Sequence, residues 1–347
     1  MNNSNLFNEW RELILNSDIS ENDKDKKLDL VAKAIENEVP VILDVNHLAH
    51  LLGLRVGILY SMVRHSNSFY RTFYIPKKRG GKREIVTPHQ SLLEVQRWIL
   101  NNILIKVKEN ESAFAYVKNK NVALNARLHI GAKEMLKVDI VDFFPSIKIP
   151  RVREIFNRLG YGKEVSLALS KLCTINDYLP QGASTSPKIS NIILFKLDKR
   201  LSKIAEISDL KYSRYADDLI FSGEQIISGF KAFIYEIIEE EGFTINESKT
   251  RVFKEGSRKI VTGIVVNDND IRLPKKKRKS IKHEVYLLKK YGIINQINKN
   301  KDIFYIDRIL GKLSFWKQIE PDNTYVSNTF RQINQMYNEV LNPPNLL

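Results

Sequence analysis

The spacing of apolar residues changes along the chain, and each change marks a different kind of predicted structure. Over residues 1–66 the apolar positions recur at helical intervals, and Asp44 stands where it can cap a helix. From Tyr70 the interval becomes that of strands, and Gly80 and Gly81 break the pattern, so a β-hairpin is predicted. Helical spacing returns after the hairpin and dominates much of the remaining chain.

Four later segments carry helical patterns with definite boundaries. One helix is predicted over 91–107, with an apolar surface supplied by Leu92, Val95, Ile99, Ile103 and Ile105. The next begins near Pro150 and ends at Gly160. A third has Ser186 as its N-cap and Pro187 at the first helical position. The last stops at Gly242, and its shared face is predicted to contain Ile226, Phe230, Phe233, Ile234 and Ile237.

The middle of the chain alternates as half-buried strands do. In "LKVDIVDFF" the side chain of Val138 points to the buried face and that of Asp139 to the open face. Residues 211–222 are typical of two strands that turn at Ala216–Asp217, and "FTIN" at 243–246 indicates one more strand. Strand, helices, hairpin, helix and strand follow in the ferredoxin-like order, so the predicted fold class is α+β.

Composition adds a preference for polyanions. The 347 residues carry a net charge of +15 and a pI of about 9.6, which favours phosphate contacts and counterion release. The single cysteine, Cys173, excludes an intramolecular disulfide and a thiolate-rich zinc site. With no signal-peptide pattern and no long apolar run, a soluble, intracellular protein without a membrane partner is expected.

Three aspartates are candidates for metal chemistry. If Asp139 lies on the open face of the sheet beside the hairpin tip, its carboxylate meets those of Asp217 and Asp218. Carboxylate oxygens suit Mg²⁺, and two such ions can activate an attacking hydroxyl and stabilise a leaving oxygen in phosphoryl transfer. The alternative is that the aspartate pair only forms a hairpin turn, a common place for this residue.

Five motifs in order connect these carboxylates to a known family. In chain order they are "IPKKRGGKREIVTP", "VDIVDFFPS", "LPQGASTSP", "YADD" on the hairpin and "GFTINESKT". Together they resemble the reverse transcriptases over about residues 67–268. The resemblance implies a right-hand polymerase with fingers, a ferredoxin-like palm and a helical thumb. The implied division is an N-terminal helical region at 1–66, fingers at 67–135, palm at 136–268 and a basic thumb at 269–347.

The resemblance also assigns catalytic roles. Asp139 and Asp217 match the main ligands of two Mg²⁺ ions, for which Mn²⁺ can substitute, and Asp218 completes the cluster. Phe144 matches the bulky side chain that excludes a ribose 2′-hydroxyl, which implies deoxynucleoside triphosphates as substrates. Lys249 matches the lysine that protonates departing pyrophosphate, and its alternative is an ordinary surface lysine.

Further positions match the nucleotide site of the family. Lys77, Lys82 and Arg83 flank the glycine turn of the predicted hairpin, where cations can close over a triphosphate. A solvated basic hairpin is the alternative for the two lysines. Gln181 and Gly182 match the floor under the incoming base pair, although Gly182 can equally be a plain turn glycine.

Two shorter motifs resemble the bacterial retron branch of the family. "NARLH" supplies Asn125 and His129, and "VTG" supplies Val261, Thr262 and Gly263 as an RNA-binding signature. The alternatives are a core histidine at position 129 and a strand bulge at Thr262–Gly263. Retron membership implies a cytoplasmic bacterial enzyme that primes DNA synthesis from a 2′-hydroxyl of its own structured non-coding RNA (msr-msd). It also implies a branched msDNA product, anti-phage defence and a separate effector protein.

The basic segment near 275–279 is expected to bind RNA phosphates. Its predicted contact residues are Lys275, Lys276, Lys277 and Arg278. Two neighbouring lineages, the group II intron-like and the diversity-generating reverse transcriptases, are alternatives within the family. A non-catalytic RNA- or msDNA-binding scaffold that restrains an effector is the alternative outside it.

Overall fold

The first part of the chain is helical, as its apolar spacing predicts. The computed structural model describes residues 3–76 and 80–341, and its first elements are α1 (Asn3–Leu15), α2 (Glu21–Glu36), α3 (Val45–Leu51) and α4 (Val56–Arg64). The Asp44 carboxylate accepts a 2.8 Å hydrogen bond from the His47 amide, which confirms the predicted cap of α3. Buried side chains of these helices join the same apolar core as the middle of the chain.

The predicted hairpin forms, and the helix after it is shorter than predicted. Antiparallel strands β1 (Tyr70–Pro76) and β2 (Lys82–Pro88) precede α5 (Gln90–Asn102). The α-helix ends at Asn102, and a 3-10 turn at Leu104–Lys106 changes the direction of the side chains that follow. Ile105 is therefore 56% exposed, and its predicted place on that face is wrong.

A four-stranded sheet forms the centre of the molecule. Its strands are β3 (Glu134–Asp139), β4 (Lys211–Tyr215), β5 (Asp218–Gly223) and β6 (Arg251–Phe253). The spatial order is β4-β5-β3-β6 with every neighbouring pair antiparallel, which confirms the ferredoxin-like order. Leu136, Val138 and Phe221 pack on one face against the helices that connect the strands.

Seven helices lie around these strands in the described part of the chain. They are α6 (Val122–Arg127), α7 (Phe143–Ser146), α8 (Ile149–Arg158), α9 (Lys163–Cys173), α10 (Ser186–Ile193), α11 (Phe195–Ile207) and α12 (Phe230–Glu240). The predicted limits of α8 and the predicted end of α12 are confirmed, with Pro150 in the first turn of α8 and Gly242 just beyond α12 at φ 78°. Helix α12 begins at Phe230, so Ile226 precedes it instead of sharing its face.

Three other local predictions in this region are wrong. Ser186 is the first residue of α10 rather than its N-cap, which is Thr185. Phe233 is 49% exposed on α12, because α12 turns it away from the core that holds Phe230 and Ile234. The segment 243–246 makes only one isolated bridge, Ile140 with Ile245, and the fourth strand of the sheet is β6 instead.

The last part of the chain builds a second core. It contains β7 (Lys259–Val261), β8 (Ile264–Val266), β9 (Ile271–Arg272), α13 (Lys275–Tyr291), α14 (Ile293–Asn300), α15 (Tyr305–Ile319) and α16 (Thr324–Leu341). Ala123 and Ala126 of α6, with Met135 and Ile220 of the central sheet, pack into this core. The predicted boundary at 268 lies between β8 and β9, which are paired. None of the helices in the described ranges has the length and apolar character needed to span a membrane.

Candidate active site

The hairpin of β4 and β5 brings its two aspartates to the end of β3. Asp218 lies directly opposite Asp139 in the antiparallel register, and the Ile140 amide donates a 3.1 Å hydrogen bond to the Asp217 carbonyl. Ala216 adopts a left-handed backbone with φ 57°, which turns the chain sharply between the two strands. The structure therefore brings the three predicted carboxylates together at one end of the two central strands.

Two lysines neutralise part of this acidic cluster. Lys249 Nζ donates to Asp139 Oδ1 and Oδ2 at 2.9 and 3.2 Å, and Lys137 Nζ donates to Asp218 Oδ2 at 2.7 Å. The Asp139 side chain is only 6% exposed, so the prediction that it lies on an open face is wrong. Lys249 covers it, since the loop before β6 folds back over the end of β3.

Burial and the close approach of the carboxylates shift the pKa of Asp217. Burial, followed by the nearby charges of Asp218 and Asp139, raises the pKa of Asp217 to about 6. The hydrogen bond to Asp139 raises the pKa of Lys249 above its ordinary value, so its ammonium stays protonated at neutral pH. A site that holds three carboxylates this close, with one of them reluctant to ionise, favours an added cation.

The donor set fits a hard divalent ion. Carboxylate oxygens at the end of a strand and on a hairpin tip are the ligands that such ions prefer. As the side chains stand, no group of three or more His, Cys, Asp or Glu residues is placed to hold a metal ion within residues 3–76 and 80–341. Two of the three carboxylates are instead occupied by lysine ammonium groups, which supply the positive charge.

A buried ion pair, which the sequence analysis did not identify, supports the hairpin tip. The side chains of Arg214 and Asp198 are both 0% exposed and form two hydrogen bonds, of 2.8 and 2.7 Å. The Tyr212 hydroxyl donates to the same carboxylate at 2.8 Å, and Arg214 Nη1 donates to the Ala216 carbonyl at 3.3 Å. The residue before Asp217 is thus held by a charge that the protein interior fully encloses. The signal in the sequence is an arginine inside the strand that leads to the aspartate pair.

The predicted nucleotide-binding residues lie on two elements that touch each other. Lys82 and Arg83 are exposed at the start of β2, while Lys77 falls outside the described residues. The Val86 amide donates a 3.0 Å hydrogen bond to the Gln181 carbonyl. Gly182 has φ 139°, and a Cβ there would lie 2.7 Å from the Val86 carbonyl oxygen. Gly182 therefore lies directly against the backbone of β2, and its position under the incoming base pair stays a prediction.

Phe144, which is predicted to exclude a ribose 2′-hydroxyl and is called the gate below, directly follows a residue of the core. Phe143 is buried, whereas Phe144 on α7 is half-buried, with its ring centroid 5.2 Å from that of Phe143. A half-buried ring packed on a fixed neighbour can act as a rigid wall of a pocket, because it cannot turn inwards.

Comparison with known proteins identifies the family. Residues 75–284 match the family described as "Reverse transcriptase (RNA-dependent DNA polymerase)". The retron Ec86 reverse transcriptase of Escherichia coli is 34% identical over 252 residues, which cover 72% of this chain and 79% of that protein. The chain belongs to the retron reverse transcriptases. It is an RNA-directed DNA polymerase, and as a member of this family it uses deoxynucleoside triphosphates and a divalent metal ion.

Two further similarities are to a second retron enzyme and to a solved telomerase. The retron Mx65 reverse transcriptase of Myxococcus xanthus is 35% identical over 66% of this chain and 59% of its own length. A solved telomerase from Candida albicans, in complex with the TWJ fragment of telomeric RNA, has a TM-score of 0.46 and 12% identity. That similarity covers 76% of this chain and 63% of the telomerase chain. The right-hand polymerase fold follows from the family match and from the sheet order described above. The retron relatives also decide between the lineages left open by the sequence motifs.

Three predicted RNA-binding residues of the retron reverse transcriptase are buried. His129 Nδ1 lies 2.7 Å from Ser222 Oγ and His129 Nε2 lies 2.7 Å from Ser213 Oγ, so the alternative of a core histidine is confirmed. Burial lowers the pKa of His129 to about 3, which keeps the ring neutral with one donor and one acceptor. Asn125 and Val261 are 0% exposed as well. RNA contact through these side chains stays a prediction, and it requires their surroundings to move.

The other two signature residues are half-buried beside the basic helix. Thr262 and Gly263 form a two-residue turn between β7 and β8 with φ 47° and 82°, so the alternative of a strand bulge is wrong. A Cβ at Gly263 would lie 3.7 Å from Lys277 Nζ. The first turn of α13 presents Lys275, Lys276 and Lys277 as exposed side chains and Arg278 as a half-buried one. The second retron motif and the basic segment are therefore parts of one surface.

Proposed function

We propose that Asp139, Asp217 and Asp218 form the catalytic centre and hold two Mg²⁺ ions during DNA synthesis. The observation that carries this proposal is the register of the sheet, which places Asp139 opposite Asp218 at the tip that presents Asp217. The raised pKa of Asp217 supports it, because an added cation would relieve the repulsion that causes the shift. When bound, the metal ions would activate the priming hydroxyl and stabilise the leaving oxygen.

The side chains around the carboxylates have complementary tasks. Lys249 is 54% exposed while it holds Asp139, so its ammonium group can turn outwards and donate a proton to departing pyrophosphate. Arg83 supplies an exposed guanidinium for the triphosphate, and Lys82 adjoins it on the same strand. Phe144 excludes a ribose 2′-hydroxyl by occupying its space, which selects deoxynucleotides. The Lys77 assignment belongs to the same proposal on the basis of the motif alone.

The RNA is proposed to bind the surface formed by Thr262, Gly263 and the start of α13. Exposed lysines beside a backbone turn suit phosphate contacts, which position a structured RNA without reading its sequence. On this proposal the protein recognises its own non-coding RNA, begins synthesis from an internal 2′-hydroxyl and leaves a branched msDNA. Participation in anti-phage defence with a separate effector protein is proposed from family membership.

The test is to express the protein together with the DNA that flanks its gene and to isolate small nucleic acids. We expect a DNA that resists RNase and becomes shorter after treatment with a debranching enzyme. The matched control replaces both Asp217 and Asp218 by Asn, which should abolish the DNA and retain RNA binding in a gel-shift assay. Synthesis that persists in the control would refute the assignment of the carboxylates, and an unbranched product would refute 2′-hydroxyl priming.

A further inference from the structure

Tyr116 is an exposed aromatic residue in a conformation that needs an explanation. Its side chain is 51% exposed and its backbone has φ 63°, in the left-handed region. A bulky side chain rarely adopts this conformation, and such residues cluster at functional sites, where the surrounding structure holds them in place. Core packing does not explain the conformation, since half of the side-chain surface faces solvent.

Hydrogen bonds tie the loop that carries Tyr116 to Arg214 of the β4–β5 hairpin, both directly and through Asn191. The Phe114 amide donates a 2.8 Å hydrogen bond to the Arg214 carbonyl. Asn191 Nδ2 donates to the Ala115 carbonyl at 2.9 Å, and Asn191 Oδ1 accepts from Arg214 Nη2 at 3.1 Å. The same buried guanidinium that holds Ala216 therefore fixes, through Asn191, the residue before Tyr116.

The ring of Tyr116 lies beside the gate. Its centroid is 6.4 Å from that of Phe144, with the two ring planes tilted by 47°, a separation typical of interacting aromatic pairs. Its hydroxyl lies within the electrostatic reach of the catalytic cluster. After burial, the Asp217 carboxylate raises the pKa of the Tyr116 hydroxyl, whereas the Arg83 guanidinium lowers it. The side chain thus stands between the residues assigned to the metal, the sugar and the triphosphate.

We propose that Tyr116 is a second wall of the nucleotide pocket, with its ring against the deoxyribose beside Phe144 and its hydroxyl donating to a triphosphate oxygen. This inference rests on the proposed roles of Phe144, Arg83 and Asp217. It adds a residue from the segment between α5 and α6, a part of the chain for which the sequence analysis predicted no nucleotide contact. The left-handed backbone sets the direction of the ring, which lies beside that of Phe144.

Two substitutions separate the ring from the hydroxyl. Tyr116→Phe removes one hydrogen bond, so KM for a dNTP should rise about 2- to 10-fold while kcat and the preference for dNTP over rNTP stay unchanged. Tyr116→Gly removes the ring and suits a backbone with φ 63°. It should raise KM further and lower the dNTP-to-rNTP efficiency ratio by about 10-fold or more. The measurement is insertion of a single nucleotide on an RNA template with a DNA primer.

The controls distinguish this inference from the function on which it rests. Phe233→Ala, an exposed aromatic on α12, should leave KM, kcat and the ratio unchanged. If Tyr116→Gly lowers the melting temperature, Tyr116→Asn replaces it, because Asn also tolerates the left-handed backbone. Unchanged KM and ratio in both Tyr116 variants, with an active wild type, would overturn the inference. If instead Phe144→Ala fails to relax sugar selection in the same assay, the proposed gate itself is wrong and the wall is lost with it.

Discussion

Two hairpins in this protein have two-residue turns, and different types of residue adopt the positive φ angles in them. The catalytic hairpin of β4 and β5 turns at Ala216–Asp217, with a positive φ at an alanine. The signature hairpin of β7 and β8 turns at Thr262–Gly263, with positive φ at both residues and glycine at the second. The signature hairpin uses a glycine that accepts its conformation, whereas the catalytic hairpin places a residue with a side chain where glycine is preferred.

The difference lies in what supports each turn. Arg214 donates to the Ala216 carbonyl from a fully buried ion pair with Asp198, so the strained tip is held from below. The signature turn lies beside an exposed lysine, and the Thr262 hydroxyl has no hydrogen-bond partner within the described residues. Local turn chemistry is sufficient for the surface that is proposed to bind RNA phosphates. Metal-dependent chemistry needs the tip to be fixed to within fractions of an ångström, and a tertiary network provides this.

The largest expected effect comes from the tip itself. Asp217→Asn should lower primer extension by about 10³-fold, because it removes a carboxylate that is proposed to hold the metal ions. The fold should persist, since asparagine has the same shape and removes like-charge repulsion. Steady-state extension assays and thermal unfolding measure the two quantities. A loss of activity that is accompanied by a large fall in melting temperature would contradict a catalytic role and indicate a structural one.

The second-largest effect is expected from the buried ion pair of Arg214 and Asp198 below the hairpin tip. Arg214→Met leaves the buried Asp198 carboxylate without its counter-charge and with only the Tyr212 hydroxyl as a side-chain donor, which should lower the free energy of unfolding by about 3–5 kcal/mol. Arg158→Met breaks an exposed pair with Glu154 on α8 and should cost less than about 1 kcal/mol. Urea denaturation of both variants gives the comparison. Equal effects would mean that the buried pair does not hold the catalytic hairpin.

The pH dependence of stability should follow from the same cluster. The pKa of Asp217 is about 6 in the folded protein and about 3.9 in an unfolded chain, so the folded state binds more protons between these values. Without divalent ions, stability should therefore fall as pH rises from about 4 through 6. Asp217→Asn should remove this part of the profile. Added Mg²⁺ should stabilise the wild type more at pH 7.5 than at pH 5, and a flat wild-type profile in thermal unfolding would contradict the shifted pKa.

The smallest effects come from the turns, and they should have opposite signs. Gly263→Ala should cost about 1–2 kcal/mol, because a Cβ disfavours φ 82°, although it would make only an ordinary contact with Lys277 Nζ at 3.7 Å. Ala216→Gly should stabilise by less than about 1 kcal/mol, since relief of strain is partly offset by the added freedom of the unfolded chain. Chemical denaturation at one pH resolves both. Destabilisation by both substitutions to the same extent would remove the distinction between the two hairpins.

Local patterns predicted most elements correctly and failed where neighbours in space decided. Alternation and turn chemistry located β3 and the catalytic hairpin, and the capping residue located α3. "FTIN" has the composition of a strand, yet the sheet edge is taken by β6. Ile105 and Phe233 have apolar side chains, but the end of α5 and the orientation of α12 leave them exposed. Composition cannot reveal these outcomes, because burial depends on which element packs opposite.

Motif order and two-residue periodicity are properties of the chain alone, and they were enough to predict the family and the three aspartates. How those aspartates are held depends instead on tertiary contacts. The partners Asp198 and Asn191 of Arg214 lie 16 and 23 residues away, and the lysine on Asp139 lies 110 residues away. No local pattern encodes such pairs. They form when helices, sheet and loops close around the same small volume, where an unpaired charge would be costly.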